Sequence, residues 1–240
     1  MKADGTHVTH ADLAAQERIA AGLQREFPGV PVIGEEGGLD QDPCAGARWY
    51  IDPIDGTSAY TEGLAHWGPT VGLVDGDQCV LSAFFMPVVS EFYFAKKGVG
   101  AYFNGSRLRL ATTPSVTSRD VVYVPSRFHR APPVAWRGKA RSLGSTAAHM
   151  AIVARGGARA AIMGHWAPWD VVNGLLLIEE AGGVITDLSG RDMTPLRVYA
   201  SGPKRTSPSF IVGDRHSVRH LATVLRNTRY PRTSARRPQH

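Results

Sequence analysis

The chain has 240 residues, 43% of them hydrophobic and 20% charged, with a formal net charge of +6. That balance fits one sizeable globular domain or two compact halves. It excludes a wholly disordered chain, and no apolar run approaches the roughly 20 residues that a membrane-spanning helix needs.

The charge is unevenly placed. From Lys204 onward there are nine Lys/Arg and one acid, Asp214, which leaves 18 basic against 20 acidic residues, a net of −2, over residues 1–203. The last stretch, RNTRYPRTSARRPQH, has too few apolar residues to bury a core and reads as a disordered, solvated extension. The competing reading is contact with nucleic acid or an anionic surface; we take nucleic acid not to be a partner. Cys44 and Cys79 have no CxxC spacing and no signal-peptide pattern precedes them, so the expected setting is the reducing cytoplasm.

In chain order, residues 11–27 carry Leu13, Ile19, Ala20, Leu23 and Phe27 at near-helical spacing. This predicts a helix capped by Thr9 and stopped at Pro28-Gly29. VPVIGEEGG reads as a short strand ending in two glutamates, and RWYID as a buried strand. Pro53 has no N–H to give, so the chain is expected to leave the ladder there, and Gly56 allows a tight backbone path. CVLSAFFMPVV and EFYFAKKG predict two strands, with Lys96-Lys97 in a solvated turn. The Asn-Gly of GAYFNGSRLRLA predicts a hairpin. After Pro132-Pro133 the texture turns small-residue rich. Ala147, Met150, Ile152 and Val153 predict a helix closed by Gly156-Gly157. WDVVNGLLLIEEAGGVITDLSG reads as helix, glycine stop, strand and turn. There are no internal repeats. The expected division is 1–135, an α+β unit with the acidic motifs, 136–225, an α/β unit, and 226–240, the basic tail.

Acids gather where ordered segments end: Glu35-Glu36 after VPVIG, Asp52 and Asp55 around Pro53, and Asp170 before a helix. Converging carboxylates repel unless a hard cation such as Mg²⁺ neutralises them. Two such ions about 4 Å apart can clamp an in-line phosphoryl displacement. Gly56-Thr57 would add backbone N–H groups at a helix start, a ready anion site. Against this stands a plain alternative, in which Asp52 caps a turn and Glu35 is a surface residue, and composition alone favours the plain one.

Five segments in order decide otherwise. KADGTHVTHAD, GEEGG, WYIDPIDGTSAY, KKGVGAYFNGSRL and PWDVVNGLLLIEEAGGVITD together resemble the inositol monophosphatase family of Mg²⁺-dependent phosphatases. The resemblance implies a layered αβαβα sandwich, related to the sugar bisphosphatases. It implies Glu35, Asp52, the Ile54 carbonyl, Asp55 and Asp170 as ligands of two or three Mg²⁺. It implies Thr57 and Asp12 as the pair that orients the attacking water, with Glu36 beside them. Gly56, Thr57 and Ser58 would hold the phosphate, and Ser145 and Asp170 would touch the substrate. A homodimer acting on a small-molecule phosphate ester is the expected assembly.

EGLAHWGPTVGL is similar to the histidinol-phosphatase branch, whereas RSLGSTAAHM is closer to the inositol phosphatases. The family commonly has an acid shortly before its WD motif, but none stands between Ala160 and Pro168 here. A cationic amine would lose its counter-charge, and His165 and Trp166 suggest a flatter aromatic or hydroxyl-bearing substrate. The expected substrate is a phosphorylated polyol, sugar or nucleoside. Histidinol phosphate, a nucleotide 3′-phosphate and an inactive ligand-binding role are the alternatives. Three departures stand out: the sequence starts at Met1-Lys2, where the family usually has a long helix first, so either a truncated start or another element such as a partner subunit over that surface is expected; His7 replaces a common proline; and Val172 and Asn173 replace small residues after Asp170. The pairs His7/His10 and His216/His220 have spacings zinc could use but no neighbouring Cys or acid cluster, so they read as surface residues. Ser145 lacks a G-x-S-x-G setting and is not expected to be a nucleophile.

Overall fold

The computed structural model describes residues 9–37, 46–130, 134–164, 166–194 and 209–228. Helix α1 (His10–Glu26) starts as expected, with Thr9 Oγ1 accepting from the Ala11 and Asp12 amides and Asp12 returning a bond to the Thr9 amide. This reciprocal box satisfies donors that a helix start otherwise leaves open. Strands β1 (Val32–Gly34), β2 (Ala47–Asp55), β3 (Gly68–Asp75), β4 (Gln78–Met86), β5 (Glu91–Lys96), β6 (Gly100–Phe103) and β7 (Ser106–Arg107) form one sheet in that order. Only the β1–β2 pair is parallel. The Asn-Gly hairpin lies between β6 and β7, with φ of 44° at Asn104 and 80° at Gly105.

A second sheet takes the order β11-β12-β10-β8-β9. Its strands are β8 (Val121–Tyr123), β9 (Lys139–Arg141), β10 (Ala160–Met163), β11 (Val184–Asp187) and β12 (Phe210–Gly213). The chain passes between the sheets after Arg107 and before Val121, ahead of the texture change near residue 132. Helices α3 (Thr146–Ala154) and α4 (Pro168–Glu180) lie between the sheets and are buried almost all round. Helix α1 covers the outer face of β1 and β2, and α5 (Arg215–Asn227) covers β11 and β12. The layers therefore run helix, sheet, helices, sheet, helix, the expected αβαβα sandwich. Among the described residues no helix is long and apolar enough to cross a membrane.

Three expectations change. Strand β2 does not end at Pro53: it runs on to Asp55, and the ladder instead slips register. Asp52 faces Thr70 and Asp55 faces Gly68, so Pro53 and Ile54 together oppose Pro69 alone. A bulge accommodates the missing donor by leaving one extra residue unpaired and bending the strand. The tail is shorter than expected, since Arg226 and Asn227 complete α5; residues 229–240 lie outside the described residues, as do His7, Cys44, Pro132-Pro133 and His165. His216 and His220 are half-buried rather than surface residues, and His220 stands edge-on to Trp136 at 5.7 Å.

Val172 and Asn173 also find an explanation in part. Both are fully buried, and the room for Val172 comes from β3: a Cβ on Gly72 would fall 2.5 and 2.7 Å from the two Val172 methyls. The backbone at Gly72 is ordinary, so the constraint is purely steric. Gly72→Ala should therefore lower unfolding stability by about 1–3 kcal/mol in urea titrations, the usual range for overpacking. Adding Val172→Ala should recover part of that loss, because the two sites share one space. Neither amide atom of Asn173 has a hydrogen-bond partner among the described residues, and nothing in the structure explains that burial.

Candidate active site

The site lies where the first sheet meets α1, α3 and α4, and each acid is aimed by a local device. Asp12 is fully buried at the first turn of α1. One of its oxygens, Oδ2, accepts from the Thr9 amide at 2.7 Å and the Thr9 hydroxyl at 2.6 Å; the other, Oδ1, accepts from Thr57 Oγ1 at 3.3 Å. Glu35 and Glu36 follow β1 in a loop held from α1. The Glu36 amide donates to Gln16 Oε1 (2.9 Å), and Gln16 Nε2 donates to the Gly37 carbonyl (3.0 Å). The Glu35 amide is tied to the Ile51 carbonyl.

The bulge sets the two aspartates of β2 apart. Asp52 Oδ1 accepts the Ile54 amide at 2.9 Å, closing a small turn over Pro53. Asp55 Oδ2 receives the Ser145 hydroxyl and the Ala147 amide, the latter at 2.8 Å, so this carboxylate sits on the first turn of α3. Asp170 mirrors Asp12: its Oδ2 accepts the Ala167 amide at 2.8 Å at the start of α4, where Pro168 fills the first turn.

Glu35, Asp52 and Asp170 converge, with a carboxylate oxygen from each lying within 4.8 Å of the others. Asp55 stands beside this trio rather than in it. Burial raises the Asp52 pKa well above the carboxylate range, and the charges of Glu35, Asp55 and Asp170 push it further in that order. Burial likewise raises Asp55 to about 7, against the bonds from Ser145 and Ala147 that favour its charge, with Glu35 adding to the rise. Three oxygen donors held this close in a desolvated place suit a hard divalent cation, which offsets their repulsion and asks for oxygen ligands. The donor set fits the group that the sequence implies.

The remaining predicted residues fall around this trio. Gly56 has φ 91° and begins the short helix α2 (Thr57–Thr61), and a Cβ there would press on Ser145 and Trp67. The Thr57 hydroxyl reaches both Asp12 and the Ile54 carbonyl, each at 3.3 Å. Ser58 is exposed, and Glu36 is half-buried. Ser145 is buried and caps α3, accepting the Ala148 amide at 3.0 Å while donating to Asp55. Trp166, whose ring suggested a flat substrate but which reads equally as a packed core or rim residue, is a core residue set edge-on against Phe210 at 5.6 Å. Sequence reasoning missed Gln16, Trp67 and His149. Gln16 carried a weak signal, a polar residue on the face of α1 that otherwise packs on β2; the other two carried none, since no local pattern says which groups a Trp or His ring will meet.

Comparison with known proteins gives a consistent result. Residues 2–220 match the sequence profile of the inositol monophosphatase family. A protein of Aquifex aeolicus named fructose-1,6-bisphosphatase/inositol-1-monophosphatase is 33% identical over 195 residues, 77% of this chain and 74% of that one. The histidinol-phosphatase of Chlorobaculum parvum is 34% identical over 199 residues, 79% of this chain and 76% of its own. Among solved structures, the IMPase of Thermotoga maritima aligns with a TM-score of 0.77 at 27% identity, covering 93% of this chain and 85% of that chain.

Proposed function

Because the chain belongs to the inositol monophosphatase family, we propose that it is a Mg²⁺-dependent phosphatase that hydrolyses a small phosphorylated polyol, sugar or nucleoside by direct attack of water on phosphorus. The observation that carries this reading is the meeting of Glu35, Asp52 and Asp170 beside a Thr57–Asp12 pair. Two or three Mg²⁺ held by Glu35, Asp52, Asp55, Asp170 and the Ile54 carbonyl would supply Lewis-acid activation of water and neutralise phosphoryl oxygens. The chain's own residues do the rest. A threonine hydroxyl is too weak a base to act alone, but donating to Asp12 leaves its lone pairs fixed to accept from, and so orient, a water at the phosphorus. The Gly56 and Thr57 amides would hold the phosphate, and Ser145 holds Asp55 through its hydroxyl. Glu36 supports its neighbour Glu35. A cytoplasmic homodimer belongs to the same proposal.

A phosphate-release screen with Mg²⁺ across inositol, sugar, nucleoside and histidinol monophosphates tests it. Release from the hydroxyl-rich esters, abolished by EDTA, is the expected outcome. Preference for histidinol phosphate would favour the second reading, which the Chlorobaculum parvum relative supports. No release from any ester with any divalent cation would overturn both.

A further inference from the structure

The Asp55 carboxylate is held by α3, and the geometry of that hold depends on a residue away from the acids. His149, in the second turn of α3, folds its ring back so that Nε2 accepts the Leu143 amide at 2.8 Å. Accepting requires an unprotonated Nε2, so the proton of the neutral ring sits on Nδ1. Burial, with His66 adding, lowers the His149 pKa to about 3, so this acceptor persists at any ordinary pH. The ring also lies flat on Tyr123 at the end of β8, centroids 4.8 Å apart and planes 6° from parallel.

Leu143 is the first residue of a three-residue approach to the site. Gly144 takes φ 82° and passes so close to α2 that a Cβ would lie 3.3 Å from that of Ala59. Ser145 then caps α3, abuts Gly56, and gives its hydroxyl to Asp55. Only Gly144 separates Leu143 from Ser145, so a shift of the Leu143 backbone bears directly on where Ser145 sits.

We propose that His149 is a positioning residue for cation binding: its Nε2 fixes the 143–145 loop where Ser145 can engage Asp55 Oδ2, and so sets how the Asp55 carboxylate is presented to a divalent cation. The inference rests on the cation reading above but reaches beyond it, to a residue that touches neither cation nor substrate.

The test separates hydrogen bonding from packing. His149→Phe keeps a ring to stack on Tyr123 but cannot accept the amide, whereas His149→Gln loses the stack but keeps an acceptor oxygen. Mg²⁺ is titrated calorimetrically into chelator-stripped protein, with folding checked by circular dichroism. The Phe variant should bind Mg²⁺ about tenfold more weakly, as other outer partners of metal ligands do when removed, and the Gln variant should lie closer to wild type. In steady state the Phe variant should lose kcat with KM little changed. Ser145→Ala should reproduce the weakened binding, which decides the matter even if a His149 variant folds poorly. Unchanged Mg²⁺ affinity in the Phe or Ser145→Ala variant, or a Gln variant worse than Phe, overturns the proposal. A wild-type protein that binds no divalent cation overturns the cation reading itself.

Discussion

Asp52→Asn should bring phosphate release below detection while leaving the folded protein at least as stable as the wild type in the presence of a chelator. The two halves of that result have one cause. Asp52 is buried among Glu35, Asp55 and Asp170, so in the absence of a cation its charged form is disfavoured by desolvation and by three like charges. An amide of the same shape keeps the acceptor for the Ile54 amide and discards the repulsion. It also discards a charged ligand, which a hard cation does not replace with an amide at equal affinity. Full activity of Asp52→Asn in Mg²⁺ would sink the assignment. The same electrostatics predict a pH signature. Asp52 and Asp55 hold protons more tightly when folded than when unfolded, so chelated protein draws most stability from these two groups in acid. Its stability should fall as pH rises from the unfolded carboxylate value of about 4 through the folded value, about 7 for Asp55. Melting temperatures should show that fall with EDTA, less of it with Mg²⁺, and less of it in Asp52→Asn.

Thr57→Ala is the second large effect, and it should appear in kcat more than in KM. The substitution leaves the Gly56 and residue-57 amides in place, so phosphate binding survives. What goes is the hydroxyl that joins Asp12 to the Ile54 carbonyl at 3.3 Å on each side. An orienting contact used mainly in the transition state lowers kcat and kcat/KM together. The drop should be on the order of 10², the lower range for general acid–base contributions. Asp12→Asn should cost a similar factor in kcat, and the double variant little more than either single, because the pair acts as one unit. Asp12 also closes the capping box of α1 through Oδ2, so its variant needs a melting curve beside its kinetics. Additive losses would show two independent roles, and an unchanged kcat in Thr57→Ala would remove Thr57 from the mechanism.

The chain itself determined the local elements and the donor set. Thr9 before a 3.6-residue apolar pattern and Pro28-Gly29 after it are enough to write α1, because caps and breakers act within a turn or two of their own position. Asn104-Gly105 writes its hairpin for the same reason, and the acids of GEE, DPIDGT and WD can be read as ligands by type and order. Even a missed element was legible in retrospect: Asp214 caps α5, and Val218, Leu221, Ala222 and Leu225 form its buried stripe. Strand β3 was harder, since Gly68, Pro69 and Gly72 interrupt its pattern for reasons that lie on other elements. The tertiary structure alone decided the rest. It made the Pro53 interruption a bulge, because Pro69 lies across the ladder. It gave Ser145 to Asp55, Gly72 to Val172, Gln16 to the Glu36 loop and His149 to Leu143. Each of these joins residues separated by as few as 6 or as many as about 100 positions. Such pairings follow from which faces the layers bring together, and hydrophobic periodicity says which face is buried but not what it will meet.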